Sequence, residues 1–294
     1  MITSRLVYEI ADLTIKVEAD FPLTSDIFTT KFSPFESSSS RSDQVVLRHY
    51  FSLPKLDALN PDDKAYHFPP WAIYRRPDGW LYLGIAAQPD ELNFHRLAIF
   101  NLAHTLAEIY SPDDSLFRRG NLDSLSLFPT DQIWLARVLA DRKGCIFHAA
   151  GMIINGSGFL FVGHSSAGKS TLVSLLQDEG EILCDDRIAL RKWPHDFRIY
   201  GTWSHGDVPI VSPASAPLRA ICLLEKAPHN RLIPIEDPRE IVRTLPFYIV
   251  KPLVTVDWWE KTLDLIGAIA REVPVYRLQF DKSGQVRQVI RSLL

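Results

Sequence analysis

The stretch Gly163-His164-Ser165-Ser166-Ala167-Gly168-Lys169-Ser170-Thr171 sets two glycines, a lysine and two hydroxyls at the spacing of a loop that holds polyphosphate. The glycines let the backbone curl so that successive N–H groups face an anion. A helix opening at Ser170 would add its positive end to that field. Lys169 supplies a point charge for the β and γ oxygens, and the Ser170 hydroxyl can ligate Mg2+. Holding a phosphate is not transferring it. A base, further metal ligands and an acceptor site have to come from other parts of the chain.

Two carboxylates stand in a suitable place. In "EILCDD" a short apolar run, read as a buried strand, ends in Asp185 and Asp186. The unit "GFLFVG–loop–STLVSLLQDEG–EILCDD" reads as strand, helix, strand, which makes its two strands parallel in one sheet. Their C-terminal ends then share the edge where open α/β sheets bind ligands. That puts Asp185 and Asp186 beside the loop, within reach of a metal held by Ser170. Adjacent carboxylates at a strand end point different ways, so one faces the metal and the other the acceptor or a supporting group.

His148 can be placed by counting. In "CIFHAAGMIINGSGFLFVG" the pair Asn155-Gly156 between apolar runs is a strong hairpin signal. A two-residue loop sets Ile154 opposite Ser157 and His148 opposite Gly163; a three-residue loop sets His148 opposite His164. Either register lays His148 at the entrance to the loop. A lone histidine in an apolar strand is commonly a core residue, so a core role and a role near the γ-phosphate stand side by side. His164 reads as a variable loop position.

Around these residues, 129–294 read as an α/β domain of alternating strands and helices. "PTDQIWLARVLADRKG" is a helix behind a Thr130 or Asp131 cap, and the helix after the loop runs to Gly180. "RAICLLE" and "PVYRLQF" are strands, "PREIVRTLPFYIV", "DWWEKTLDLIGAIAREV" and "SGQVRQVIRSLL" helices. Residues 1–128 read as a smaller β-rich, α+β N-terminal domain, a natural place for acceptor recognition. "LVYEI" and "LTIKVEA" alternate like half-buried strands, and Trp71 to Ile85 is a hairpin whose two runs are joined by Arg76-Pro77-Asp78-Gly79. "RLAIFNLAHTLAEIY" is expected to be helical, with "RLAIF" readable as a strand. The serine-rich Phe35–Gln44 segment reads as a mobile connection.

Composition sets further bounds. The 294 residues are 46% hydrophobic and 23% charged, with a net charge of −3, so no basic field argues for nucleic acid or an anionic membrane. Cys145, Cys184 and Cys222 lie far apart in apolar runs and read as buried free thiols of a reducing compartment. The N-terminal residues lack the apolar core of a signal peptide, and no apolar run is long enough to span a membrane. A cytoplasmic location is the default expectation.

Histidine, loop and aspartate pair together resemble the catalytic domain of the HPr kinase/phosphorylase family, relatives of ATP-dependent PEP carboxykinases. The resemblance is carried by "FHAAGMIINGSGFLFVGHSSAGKSTLVSLLQDEGEILCDD" and continues loosely through "RAICLLEK". It implies a P-loop fold and an ATP- and Mg2+-dependent serine kinase. Gly163 to Thr171 would bind the phosphates of ATP, Ser170 and Asp185 would serve the metal, Asp186 would take the proton of a serine hydroxyl, and His148 would sit by the transferred phosphate. The family's metal-binding Glu and its arginine-rich lid have no counterpart motif here. Asp207 or His205 stand near the place of the first, Arg219 and Arg231 near that of the second. The N-terminal region does not read as the family's regulatory domain, so the implied acceptor is a peptide or protein other than HPr. The chain resembles more the divergent HPr-kinase-related proteins that accompany peptide-tailoring enzymes, some of which phosphorylate a serine on a ribosomally made precursor peptide. The family assembles as hexamers, which leaves a homo-oligomer open.

Two other readings remain at this stage. A small-molecule hydroxyl kinase would need an enclosed acceptor pocket and no N-terminal domain. A nucleotide-binding switch or assembly module would bind ATP and hydrolyse it slowly. Absence of an Asn/Thr-Lys-x-Asp motif speaks against a GTPase, and absence of an LSGGQ-like segment against a transporter ATPase.

Overall fold

Strand propensity and helix propensity segregate along this chain, and the computed structural model, which describes residues 4–56, 59–85, 94–252 and 255–294, follows that segregation into a mixed α/β architecture with two large sheets. Two units divide it, Met1–Val138 and Leu139–Leu294. The sequence puts a domain boundary at 128/129, and the units part inside the helix that follows it. Among the described residues no helix is long and apolar enough to cross a membrane.

The first unit is built on eight strands: β1 (Ser4–Ile10), β2 (Leu13–Ala19), β3 (Gln44–Tyr50), β4 (Lys64–Phe68), β5 (Trp71–Arg76), β6 (Gly79–Ile85), β7 (Phe94–Asn101) and β8 (Leu106–Tyr110). They form one sheet in the order β1-β2-β3-β8-β7-β6-β5-β4, with β3 parallel to both its neighbours. The two helices of this region are α1 (Ser115–Arg119) and α2 (Gln132–Ala140). The buried Asp131 carboxylate before α2 accepts from Ser124 Oγ, Ser126 Oγ and the Trp134 indole, all at 2.7–3.0 Å, so its charge is satisfied in place.

Two expectations fail here. "RLAIFNLAHTLAEIY" is the β7–β8 hairpin, so the strand reading of "RLAIF" holds and the helical reading fails. Its turn is set by side chains: Asn101 Oδ1 accepts from the Thr105 and Leu106 N–H groups, and His104 takes a positive φ of 53°. Such bonds offer the backbone an alternative to the helical ladder. The serine-rich segment is pinned, with Ser39 Oγ on Glu9 at 2.8 Å and Arg41 on Asp12 at 2.7 Å.

In the second unit the strands are β9 (Gly144–Ile154), β10 (Ser157–Val162), β11 (Glu181–Cys184), β12 (Arg187–Lys192), β13 (Phe197–Tyr200), β14 (Ser215–Lys226), β15 (Arg231–Pro234) and β16 (Val275–Phe280). The helices are α3 (Lys169–Leu175), α4 (Pro238–Thr244), α5 (Val256–Glu272) and α6 (Val286–Arg291). β9 and β14 are long enough to serve three ladders each. The start of β9 pairs with β12 and its end with β10 and β11, while β14 pairs first with β13 and then with β10. Parallel pairing joins β10, β14 and β16, so their C-terminal ends share one edge.

The faces sort by side-chain parity, as strands require. Phe159, Phe161, Met152, Cys222 and Leu278 pack under α3 and α6. Leu160, Val162, Ile221 and Val275 face the core that holds Trp258, Leu265 and Ile269 of α5. Trp258 is buried and stacks on Trp259, so this aromatic pair is packing. The three cysteines are buried and free. α3 stops well before Gly180, because the chain must turn back for Glu181 to pair with Ile153; an added Cβ at Gly180 would lie 2.1 Å from the Ile153 carbonyl oxygen.

The β9–β10 turn is a two-residue loop with Asn155 at φ 48° and Gly156 at φ 74°. A β-branched side chain tolerates this left-handed backbone poorly. Asn155→Val is therefore expected to lower the unfolding free energy by about 1–2 kcal/mol, read by denaturant titration.

Candidate active site

Strand β9 is where the separate pieces of chemistry meet. On one side its ladder with β10 runs from Ile154↔Ser157 to Ala149↔Val162, and one more step sets His148 against Gly163. On the other side His148 pairs directly with Arg187 of β12, and the Ala149 N–H donates to the Asp186 carbonyl at 3.1 Å. β11 and β10 both run antiparallel to β9, and so parallel to each other with β9 between them. The expectation that loop and aspartates share an edge holds, through one intervening strand.

The loop itself has the backbone of an anion nest: Ser166 at φ 66° and Gly168 at φ 100° alternate with ordinary residues. Neither end glycine could carry a side chain. A Cβ at Gly163 would lie 2.6 Å from that of Ala167, and one at Gly168 2.9 Å from the Phe280 ring. Lys169 Nζ donates to the Gly163 and His164 carbonyls at 2.9 and 3.1 Å, which holds its ammonium over the loop. Burial pulls its pKa below the usual range and the Arg187 charge adds to that, against the opposing pull of Asp186 and Asp185.

The two aspartates part company as their neighbouring positions require. Asp185 is buried and accepts from Ser170 Oγ at 2.6 Å, Gly206 N at 2.6 Å and Val208 N at 3.0 Å. Asp186 meets His148 Nε2 at 3.2 Å and Arg187 at 2.5 Å, both on Oδ1. Burial raises the Asp186 pKa, but the His148 hydrogen bond and the charges of Arg187, His148 and Lys169 outweigh it, so the carboxyl titrates below its ordinary value.

A cavity of about 350 Å³ gathers these groups. Lys169, Ser170, Asp185, Asp186 and His148 all line it, together with the loop residues Ser165, Ser166, Gly168 and Thr171. Its size falls in the range of small-molecule sites. His164 and Ala167 are not on its wall; the His164 ring packs on Tyr248 at 4.7 Å. Of the two substitutes for a missing ligand, Asp207 lines the cavity, whereas His205 is exposed and turned to the Gly206 carbonyl. Arg219 and Arg231 do not line it; their guanidinium groups donate to the Leu293 carbonyl and to Gln279, both at 2.7 Å.

The donors suit Mg2+, a hard cation that takes one or two protein oxygens and fills its shell with phosphate and water. Ser170 Oγ is the donor that faces the loop. Asp185 already accepts three protein hydrogen bonds, one of them from Ser170 Oγ. Among the described residues no three His, Cys, Asp or Glu side chains converge as a metal cage.

Three cations of the site carry no motif signal in the sequence. Arg187 follows the aspartate pair and holds Asp186. Lys226 and Lys282 line the cavity, at the end of β14 and just past the end of β16. The edge rule that placed the aspartates marks both lysines once β14 and β16 are known to run parallel to β10.

Comparison with known proteins adds a family. A protein-family model described as "SynChlorMet cassette protein ScmC" matches residues 130–294. Among solved structures, that of the Hpr(Ser) kinase/phosphatase from Coxiella burnetii is similar at 12% sequence identity, over 50% of this chain and 94% of that one, with a TM-score of 0.30. No curated protein matches.

A lowered folded-state pKa means that Asp186 adds stability in its ionised form. That contribution is complete above the ordinary value of 3.8 and is lost as pH falls through the lower folded value. The gap in unfolding free energy between wild type and Asp186→Asn should therefore be constant near neutrality and shrink below about pH 4, in denaturant titrations taken across that range.

Proposed function

The chain belongs to the ScmC family, whose model spans more than half of it, and on that premise we propose that it is an ATP- and Mg2+-dependent kinase that moves the γ-phosphoryl group to a serine hydroxyl of a peptide or protein. One observation carries the reading: Lys169 and Ser170 of a phosphate loop and the anionic Asp186 line the same cavity. Phosphoryl transfer asks for positioning, charge neutralisation and a carboxylate near the attacking hydroxyl, and little else.

Each residue has a task in that scheme. The N–H groups of the loop hold the polyphosphate, and Lys169 offsets charge on its β and γ oxygens. Ser170, oriented by Asp185, would hold Mg2+, which would supply charge neutralisation to the phosphates. Asp186, held by Arg187 and His148, accepts the proton of the acceptor hydroxyl. The new bond joins that oxygen to the γ-phosphorus, the bond from the γ-phosphorus to the bridging oxygen breaks, and ADP leaves with the electron pair. A carboxylate of low pKa is a weak base, which suits a loose transition state in which the hydroxyl proton leaves late. The serine-bearing peptide as acceptor, ribosomally made precursor peptides included, rests on the motif resemblance of His148, the loop and the aspartate pair. The N-terminal sheet, with β4 at its edge, is the proposed place to bind such a peptide by strand addition.

Transfer from γ-labelled ATP into added peptide or protein pools tests this. Asp186→Asn should cut the transfer rate by about 10²–10⁴-fold and leave the dissociation constant for Mg·ATP within a few-fold. ATP binding with no transfer by wild type, and no effect of Asp186→Asn, would favour a nucleotide-dependent switch instead.

A further inference from the structure

A second cavity, of about 230 Å³, adjoins the first and shares Gly168, Thr171, Lys226 and Lys282 with it. Its remaining walls are Ala227, Phe280 and Asp281, while His148 and Asp186 line the first cavity only. The two cavities thus give the site a direction. Lys169 of such a loop serves the β and γ oxygens, and Asp186 and His148 mark the end where the γ-phosphate would lie. Whatever is attached to the α-phosphate must leave past Thr171, toward the second cavity.

The chemistry of that cavity matches such a ligand in three respects. Lys226 and Lys282 are exposed, and among the described residues neither ammonium has a carboxylate partner. They bring two positive charges to the mouth between the cavities. Asp281 is held rigidly by one oxygen: its Oδ1 accepts from Asn230 Nδ2 at 2.8 Å, from Ser283 N at 2.8 Å and from Ser283 Oγ at 2.5 Å. Its Oδ2 is left to accept from something else. Phe280 and Ala227 supply an apolar wall. Phosphate charge, hydroxyl donors and a flat apolar group, in that order, describe the nucleoside end of a ribonucleotide.

We propose that the second cavity is the nucleoside subsite, in which Lys226 and Lys282 clamp the α-phosphate and Asp281 accepts a hydrogen bond from the ribose hydroxyls. A fixed carboxylate facing a ribose is a known solution to the same recognition problem in other α/β folds. The assignment rests on the reading of the Gly163–Ser170 loop as a polyphosphate site, and makes the site a reader of ribose and charge.

Calorimetric titration separates the two claims. The ligands are Mg·ATP and Mg·2′,3′-dideoxy-ATP; the proteins are wild type, the double variant Lys226→Gln/Lys282→Gln, and Asp281→Asn, with Lys169→Ala as reference. The double variant is expected to raise the dissociation constant of both ligands by about tenfold. Asp281→Asn is expected to weaken ATP by about five- to tenfold and leave dideoxy-ATP within about twofold. ATP bound by wild type but unaffected by the double variant, or weakened by Asp281→Asn no more than dideoxy-ATP, overturns the subsite. Failure of wild type to bind ATP any better than Lys169→Ala overturns the loop reading, and the subsite with it.

Discussion

Strand β9 is the constraint on which the site depends. Its register with β10 sets His148 against the first glycine of the loop, and its ladder with β12 sets the same residue against Arg187. The hydrogen bonds that fix these registers are backbone bonds of a buried ladder, so the distance between loop and aspartate pair does not rely on long flexible side chains. What remains for side chains is fine adjustment: Ser170 Oγ on Asp185, and His148 and Arg187 on Asp186.

Neighbouring carboxylates are costly to bring together in one cavity, and the structure offsets this by giving them different partners. Asp185 is buried and satisfied by one hydroxyl and two backbone N–H groups, a neutral set that keeps the charge local. Asp186 stands between cations and is held ionised by them. The first arrangement suits a residue that fixes the geometry of the loop and a metal; the second suits one that receives a proton. Lys169, Lys226 and Lys282 line the same cavity and offset its three carboxylates, Asp185, Asp186 and Asp207.

Much of the second unit was legible because local rules decide it. Asn-Gly between apolar runs predicts the β9–β10 hairpin, and the observed two-residue loop selects one of the two registers that pattern allows for His148. Strand, loop, helix and strand follow from glycine spacing and burial. The β7–β8 hairpin was not legible, since its turn depends on Asn101 hydrogen bonds and a left-handed His104, and its apolar residues fit either period. The length of α3 departs from the expected run to Gly180 for a similar reason: where β11 pairs decides where the helix stops. The sequence does not mark Lys226 and Lys282, because their place at the ligand edge depends on β14 and β16 running parallel to β10, a tertiary fact.

A crystal structure with Mg2+ and a non-hydrolysable β,γ-imido analogue of ATP tests the central claim most directly. The account predicts the phosphates in the Gly163–Ser170 loop, the γ-phosphate within hydrogen-bonding reach of Lys169 Nζ, and Asp186 facing it across the space where an acceptor hydroxyl would enter. An analogue bound away from the loop, or lying with its γ-phosphate on the side remote from Asp186, would contradict it.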